Sequence, residues 1–237
     1  MITSLKKFLD HSAQFSNLSR KMFNSIYKID HYAYRSFDMK SIIQKYPEYK
    51  VENDQYTFGN NVSARWMSSQ RDSNPFIFVS EYDGLQSDNK LVEAIEERKI
   101  DVNELNPVIE QGLAPSYELY KEINKRNQYL GWTMLFRDQI NHIAFLVDDI
   151  EEICHQIKND FPEYTLNNIE NPIQVSEDGD LLQFSIMADT IDYKFSDGVR
   201  AVPFSFIEFV ERKNGRTGFE GQNAAKIFDS TKLLEKV

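Results

Sequence analysis

The chain has 237 residues, with 27 Lys and Arg against 37 Asp and Glu, so its formal net charge is −10 and its pI is near 5.0. We therefore expect no binding to nucleic acid or to an anionic membrane. No apolar run is long enough to span a bilayer, and the charged, amphipathic N-terminus lacks an apolar signal core, so we expect a cytoplasmic protein. The single cysteine, Cys154, excludes an internal disulfide and a cysteine-rich zinc site.

Residues 1–83 predict N-terminal helices followed by a β-α-β-β-β unit. Apolar side chains at helical spacing over residues 3–27 indicate one or two helices. The first unit then follows, with a predicted strand at 29–37, a helix at 39–46 with Asp38 as its N-cap, and strands at 49–57, 62–67 and 76–82.

Residues 84–135 predict a helical insert, because they keep apolar periodicity and lack the Gly and Ser enrichment of a flexible linker. Its predicted helices lie at 87–99, 101–111 and 115–129, with Ser87, Asp101 and Ser116 as potential caps. Residues 136–237 predict a second unit, with a strand at 140–147, a helix at 150–161, strands at 173–175, 181–188, 191–195 and 204–210, and a closing helix at 223–234. The prediction is a single α+β domain over 1–237, in which paired βαβββ units form one cleft.

The two units share a pattern around one histidine. Residues 29–34 and 140–145 both read I-[DN]-H-x-A-[YF], and each stretch is a predicted strand that leads into a helix. Self-similarity of this kind indicates a duplicated unit. It places His31 and His142 at the same point of the first strand of each copy, so we expect both side chains to face the shared cleft.

A third candidate residue, Glu208, lies in the otherwise apolar run 204–210. A carboxylate in such a strand is costly to bury unless it is paired or coordinates a metal. Two neutral imidazoles and one carboxylate form the three-ligand set used for non-haem Fe(II), with coordination positions left open for substrate and oxygen. For each residue alone the alternative is structural: a strand histidine with satisfied hydrogen bonds in the core, or a glutamate that faces solvent.

Arg35 lies on the same face of its predicted strand as His31, because alternate residues of a strand point to one side. Its planar guanidinium could hold a substrate carboxylate through two parallel hydrogen bonds. The alternative is a buried ion pair with an acidic neighbour, and both interpretations stay open at this point.

Paired βαβββ units with His, His and Glu resemble the vicinal oxygen chelate superfamily. The run 206–213, together with the segments 218–223 and 227–228, is similar to the metal-ligand strand and closing helix of 4-hydroxyphenylpyruvate dioxygenases. A nearer resemblance is to the 2-oxoadipate dioxygenase/decarboxylases, also called 2-hydroxyglutarate synthases. The matching motifs are D-H-x-A-x-R-x-F at 30–37, P-x-I-F-V-S-E at 75–81, N-H at 141–142, L-L-Q at 181–183, M-A-D at 187–189, F-x-D-G at 195–198 and the Glu208 strand.

This resemblance implies that His31, His142 and Glu208 bind Fe(II) in a catalytic centre and that Arg35 contacts a substrate carboxylate. It also implies a reaction in which a 2-oxo acid chelates the metal, O2 attacks the 2-oxo carbon, CO2 leaves and the shortened acid is hydroxylated, as from 2-oxoadipate to 2-hydroxyglutarate. The chain is much shorter than the larger members of the family. This difference in length weakens the expectation for the exact substrate more than the expectation for the metal. The alternative function is a metal-dependent binding protein, or a non-redox isomerase or lyase acting on a small carboxylic acid.

Overall fold

The computed structural model of the chain describes residues 26–58, 61–69, 75–162, 166 and 171–219. The predicted closing helix over 223–234 lies outside these residues. So does the predicted helical segment over 3–27, except for residues 26 and 27, which begin the first strand. Within the described ranges, no helix is both long and apolar enough to cross a membrane.

The first unit has the predicted order of elements. It consists of strand β1 (Ile26–Ser36), helix α1 (Met39–Gln44), and strands β2 (Tyr49–Phe58), β3 (Val62–Ser69) and β4 (Phe76–Tyr82). Helix α1 begins where predicted, because the Asp38 carboxylate accepts a hydrogen bond from the Ser41 amide at 3.0 Å.

The insert between the units is helical, as predicted, and lies in the continuously described stretch 75–162. Its helices are α2 (Asn89–Glu96), α3 (Val102–Gln111), α4 (Tyr117–Arg126) and α5 (Gln128–Phe136). The side chains of Asp101 and Ser116 cap α3 and α4 as predicted. Helix α2 is capped by Asp88 instead of Ser87, which ends a short 3-10 turn.

The prediction of one helix over 115–129 is wrong, because Asn127 ends α4 and begins α5. The Asn127 side chain accepts a hydrogen bond from the Leu130 amide at 3.0 Å, as an N-cap does. Helix α5 is buried continuously over 129–135. It therefore lacks the one-sided apolar pattern by which a surface helix is identified in a sequence.

The second unit consists of strand β5 (Gln139–Val147), helix α6 (Ile150–Asp160), and strands β6 (Gln174–Val175), β7 (Leu181–Phe195) and β8 (Gly198–Arg212). Two corrections apply here. The predicted strands 181–188 and 191–195 are one strand, and β8 begins at Gly198 instead of residue 204. The full length of this hairpin could not be predicted from the sequence for two reasons. The pairing of β7 with β8 shifts register beside Asp189, near Pro203, and early residues of β8 such as Val199 are exposed.

The eight described strands form one mixed sheet in the order β2-β3-β4-β1-β5-β8-β7-β6. In each unit the first and last strands pair in parallel, β1 with β4 and β5 with β8, and the remaining pairs are antiparallel. The units meet where β1 and β5 pair antiparallel. This mirrored order confirms the predicted α+β fold of paired βαβββ units. The division into 1–83, 84–135 and 136–237 stays a prediction, because parts of the first and last segments lie outside the described residues.

One face of the sheet is closed by α1 and α6. Strand residues such as Ile77, Ile143 and Ile207 form a core with Ile42 of α1 and Ile153 of α6, all at most 1% exposed. The insert forms a second core with β3, β4 and the far end of the β7–β8 hairpin. Residues next to these strand positions in sequence point to the other face of the sheet, where the candidate site lies.

Candidate metal centre

The central strands bring His31, His142 and Glu208 together. These residues lie on β1, β5 and β8, which are neighbours in that order. His31 pairs with Ala144, which pairs in turn with Glu208, and His142 pairs with Ala33. Directly paired residues point to the same side of a sheet, so the three side chains share the face opposite α1 and α6.

The nearest atoms of these side chains form a small triangle. His31 Nε2 lies 3.3 Å from His142 Nε2 and 3.8 Å from Glu208 Oε2, and His142 Nε2 lies 3.2 Å from the same carboxylate oxygen. Ligands about 2.1 Å from one ion and at right angles to each other would be about 3 Å apart. The triangle therefore has the size of a three-ligand face of a single metal ion.

The alanine of the repeated motif explains how these side chains converge. Ala33 lies opposite His142, and Ala144 lies between His31 and Glu208, so each copy supplies the small residue that faces the histidine of the other copy. The two alanines are 3% and 0% exposed. In a close-packed interior, a larger side chain at either position would take the space into which the rings and the carboxylate lean.

The residue before each histidine orients its ring. His31 Nδ1 donates a hydrogen bond to Asp30 Oδ2 at 2.8 Å, and His142 Nδ1 donates to Asn141 Oδ1 at 3.3 Å, since both oxygens are acceptors. A proton on Nδ1 leaves the Nε2 lone pair of each ring available to a metal. Sequence reasoning gave Asp30 and Asn141 no role, although the D or N immediately before each H carried the signal.

The carboxylates of Asp30 and Glu208 have buried partners of their own. Arg212 donates from Nε and Nη2 to the two oxygens of Asp30, at 2.7 and 2.9 Å. Gln183 donates to Glu208 Oε1 at 2.5 Å, which leaves Oε2 facing the histidines. Burial acts to raise the pKa of both carboxyls, yet Arg212 and His31 hold that of Asp30 well below its ordinary range, and the histidines and Gln183 hold that of Glu208 below its ordinary value.

His142 is a neutral imidazole at neutral pH. Burial lowers its pKa to about 4, although the neighbouring Glu208 carboxylate acts in the opposite direction. The ring stacks on Phe206 of β8, with centroids 4.2 Å apart. The neutral form is the one that binds a metal, so no proton has to be displaced from Nε2.

Three electron-pair donors therefore face one another: the Nε2 atoms of His31 and His142, and Oε2 of Glu208. Both Nδ1 atoms donate outward, so in the neutral form of either ring Nε2 presents a lone pair toward Oε2 of Glu208. A cation at the centre removes this mutual repulsion, and two imidazoles with one carboxylate suit a divalent transition metal. The donor set fits a metal ion. Among the described residues, it is a group of three His, Cys, Asp or Glu side chains whose donor atoms lie close enough together to share one ion.

Arg35 lies further along β1, on the same face as His31 and Ala33, with its backbone paired to Ser80 of β4. Its guanidinium carbon lies 5.2 Å from the centre of the Tyr129 ring and 5.6 Å from that of Trp132, both on α5. The side chain is buried, and burial lowers its pKa to about 10, so it stays charged at neutral pH. Its guanidinium therefore contacts two aromatic rings of α5, the helix that was not predicted as a separate element.

This fold has close counterparts among solved structures. The chain is similar to the hydroxyglutarate synthase from Oryza sativa, solved in complex with 2-oxoadipate, at 23% identity and a TM-score of 0.76 over 98% of this chain and 90% of that one. It is also similar to a protein from Ralstonia eutropha JMP134 assigned to the glyoxalase superfamily, at 17% identity and a TM-score of 0.69 over 92% of this chain and 84% of that one. These likenesses show that the chain shares their fold, which is of the vicinal oxygen chelate type.

The family model for 2-oxoadipate dioxygenase/decarboxylases matches residues 77–217, more than half of the chain. The chain belongs to this family. It is 34% identical over 134 residues to the chloroplastic 2-oxoadipate dioxygenase/decarboxylase of Arabidopsis thaliana, a match that covers 47% of this chain and 36% of the relative. The chain thus matches little more than a third of the length of that curated relative.

Proposed function

We propose that the chain is an Fe(II)-dependent dioxygenase that decarboxylates and hydroxylates a 2-oxo dicarboxylic acid, converting 2-oxoadipate to 2-hydroxyglutarate and CO2. Family membership supports the reaction class, and the ligand complex of the rice relative supports the substrate class. The observation that carries the proposal is the triangle of His31, His142 and Glu208, in which each outward atom is already hydrogen-bonded and each inward atom offers a lone pair.

In this proposal the three residues hold Fe(II), which would supply the redox chemistry with O2 and polarise the 2-oxo group. Three protein ligands leave room for a bidentate 2-oxo acid and for oxygen. The atoms balance without an external reductant. The 2-oxo carbon becomes the new carboxylate and takes one oxygen atom, the neighbouring carbon takes the other as a hydroxyl, and C1 leaves as CO2.

Arg35 is the residue that would bind the distal carboxylate of the substrate. Four residues along a strand separate it from His31, a rise of about 13 Å between Cα atoms, and both side chains lean over the same face. An acid chelated at the metal would therefore extend its far carboxylate toward the guanidinium. Tyr129 and Trp132 pack against that guanidinium, so less rotamer freedom would be lost on forming a bidentate pair.

Apolar side chains around the triangle would limit the access of water. Phe206 stacks on the His142 ring, and Phe78 pairs with Ala33 on the same face of the sheet. The His31 and Glu208 side chains are 2% and 3% exposed, whereas that of His142 is 13% exposed, so substrate would approach on the His142 side. A dry site strengthens charge interactions with the substrate and suppresses side reactions.

The experiment that tests this function is oxygen uptake by the Fe(II)-loaded protein with a panel of 2-oxo acids under ¹⁸O2. We expect 2-oxoadipate to give CO2 and 2-hydroxyglutarate in equal amounts, with label in both the new carboxylate and the hydroxyl. Conversion of 2-oxo acids without oxygen uptake would favour the non-redox isomerase or lyase. Binding without conversion in the iron-loaded protein would favour a binding protein.

A further inference from the structure

Arg212, at the end of β8, donates hydrogen bonds from all three guanidinium nitrogens and so joins the metal centre to the segment that follows the sheet. Nε and Nη2 bind the two oxygens of Asp30, at 2.7 and 2.9 Å, and Nη1 donates to the Gly218 carbonyl at 2.6 Å. Asp30 in turn receives the Nδ1 proton of His31. A single side chain, itself 9% exposed, therefore contacts both the partner of a candidate metal ligand and the backbone next to Phe219.

The faces of the same guanidinium are covered by aromatic rings. Its central carbon lies 5.2 Å from the centre of the Phe76 ring and 5.4 Å from that of Phe219. The Phe219 ring also packs edge-on against His31, with centroids 4.8 Å apart. Arg212 thus contacts two neighbours of the His31 ring: Asp30, which accepts from Nδ1, and Phe219, which packs against the ring.

The turn that delivers Phe219 depends on glycine. Gly218 has a φ of +77°, which side chains rarely adopt, and a Cβ there would lie 2.8 Å from the Trp66 ring. A side chain at this position would therefore clash with Trp66 and force the backbone or the ring to shift. The backbone conformation in which the Gly218 carbonyl accepts from Arg212 thus depends on glycine at this position.

We propose that Arg212 is the positioning residue of the metal centre: through Asp30 it sets the orientation of His31, and through Gly218 it seats Phe219 against the His31 ring. The inference rests on the metal site of the proposed function and adds to it a residue far away in sequence. A planar fork is required, because only a guanidinium can bind both oxygens of Asp30 and a carbonyl while its faces stack on two rings.

The test replaces Arg212 by lysine and titrates the metal-free protein with Co(II), following the visible absorption bands and the affinity. Lysine keeps the positive charge near the site, so a change cannot be assigned to altered electrostatic repulsion of the metal. We expect Arg212→Lys to weaken Co(II) binding by about 10- to 100-fold, the range seen when partners of metal ligands are lost, and to shift the bands because His31 is reoriented.

Arg137→Lys is the matched control. Arg137 is also partly buried, donates to the carbonyls of Val108 and Ile109, and stacks on Phe37 at 5.4 Å, but it serves the end of α3. We expect this variant to lose thermal stability and to keep the Co(II) affinity and spectrum of the wild type. Equal effects of the two variants on Co(II), or an unchanged Arg212→Lys spectrum and affinity, would overturn the inference.

A double-variant cycle with Asp30→Asn separates positioning from a general loss of structure. If Arg212 acts through Asp30, the fold-losses in Co(II) affinity from Arg212→Lys and Asp30→Asn should not multiply in the double variant. Losses that multiply would contradict the inference while the metal site stands. A wild-type chain that binds no Co(II) would overturn the metal site of the proposed function, and the inference with it.

Discussion

Arg35 allows the substrate side of the proposal to be tested with an internal control. Its guanidinium is stacked on Tyr129 and Trp132, so Arg35→Lys keeps the charge but loses both the fork and the stacking. A hydrogen bond to a charged group contributes about 1.5–3 kcal/mol. Since about 1.4 kcal/mol corresponds to a tenfold change in rate, loss of the anchoring contact should lower kcat/KM for 2-oxoadipate by about ten- to a hundredfold.

The assay compares 2-oxoadipate with 2-oxohexanoate, which has the same carbon chain but no distal carboxylate. We expect Arg35→Ala to lower kcat/KM strongly for the dicarboxylic acid and little for the monocarboxylic one, with Arg35→Lys between wild type and alanine. Both variants should lower Tm, because the buried stacking is lost whichever role Arg35 has. Equal losses of kcat/KM for the two acids would refute the anchoring role and leave a structural one.

Two further predictions concern the metal triangle. Ala144→Val should weaken metal binding about tenfold or more, because the added methyl groups lie between His31 and Glu208. The control is Ala64→Val, at a position that is also 0% exposed, which should show only the ~1–3 kcal/mol loss of stability due to overpacking. Co(II) titration measures the affinity and thermal melts measure the stability, and similar Co(II) affinities for the two variants would contradict the prediction. In the metal-free protein, burial lowers the pKa of His142 from 6.5 to about 4, so the unfolded state binds more protons between these values. The stability due to neutral His142 is therefore present above pH 6.5 and lost as the pH falls toward 4. Thermal melts across this window should show a Tm that falls with pH in the wild type and falls less in His142→Gln. A wild-type Tm that stays level would contradict the lowered pKa of His142.

The duplicated units could be predicted from sequence because the repeat is short, local and chemically specific. The motif at 29–34 and 140–145 placed both histidines at equivalent strand positions, and the sheet brings those strands together as the central pair. The same motif also contained the orienting residues Asp30 and Asn141 and the facing alanines. Their roles follow only once the cross-strand register is known, because that register decides which alanine faces which histidine.

The contacts of Arg212 and Arg35 could not be predicted, because they join distant parts of the chain. Arg212 and Asp30 are 182 residues apart in sequence. Arg35 is held by α5, which is buried on all sides and shows no helical period, and the strand pattern at Arg35 indicated only which face it shares with His31. Partner choice at such positions depends on tertiary packing, which single-sequence periodicity does not encode.

The central claim is that His31, His142 and Glu208 hold one metal ion. It is tested most directly by the iron content of the wild-type chain and of His142→Ala after anaerobic loading with Fe(II) and removal of unbound metal, with circular dichroism to show that both are folded. We predict one iron per chain in the wild type and little or none in the folded variant, because the two remaining donors no longer form the three-ligand face. Full iron occupancy in folded His142→Ala would contradict the account.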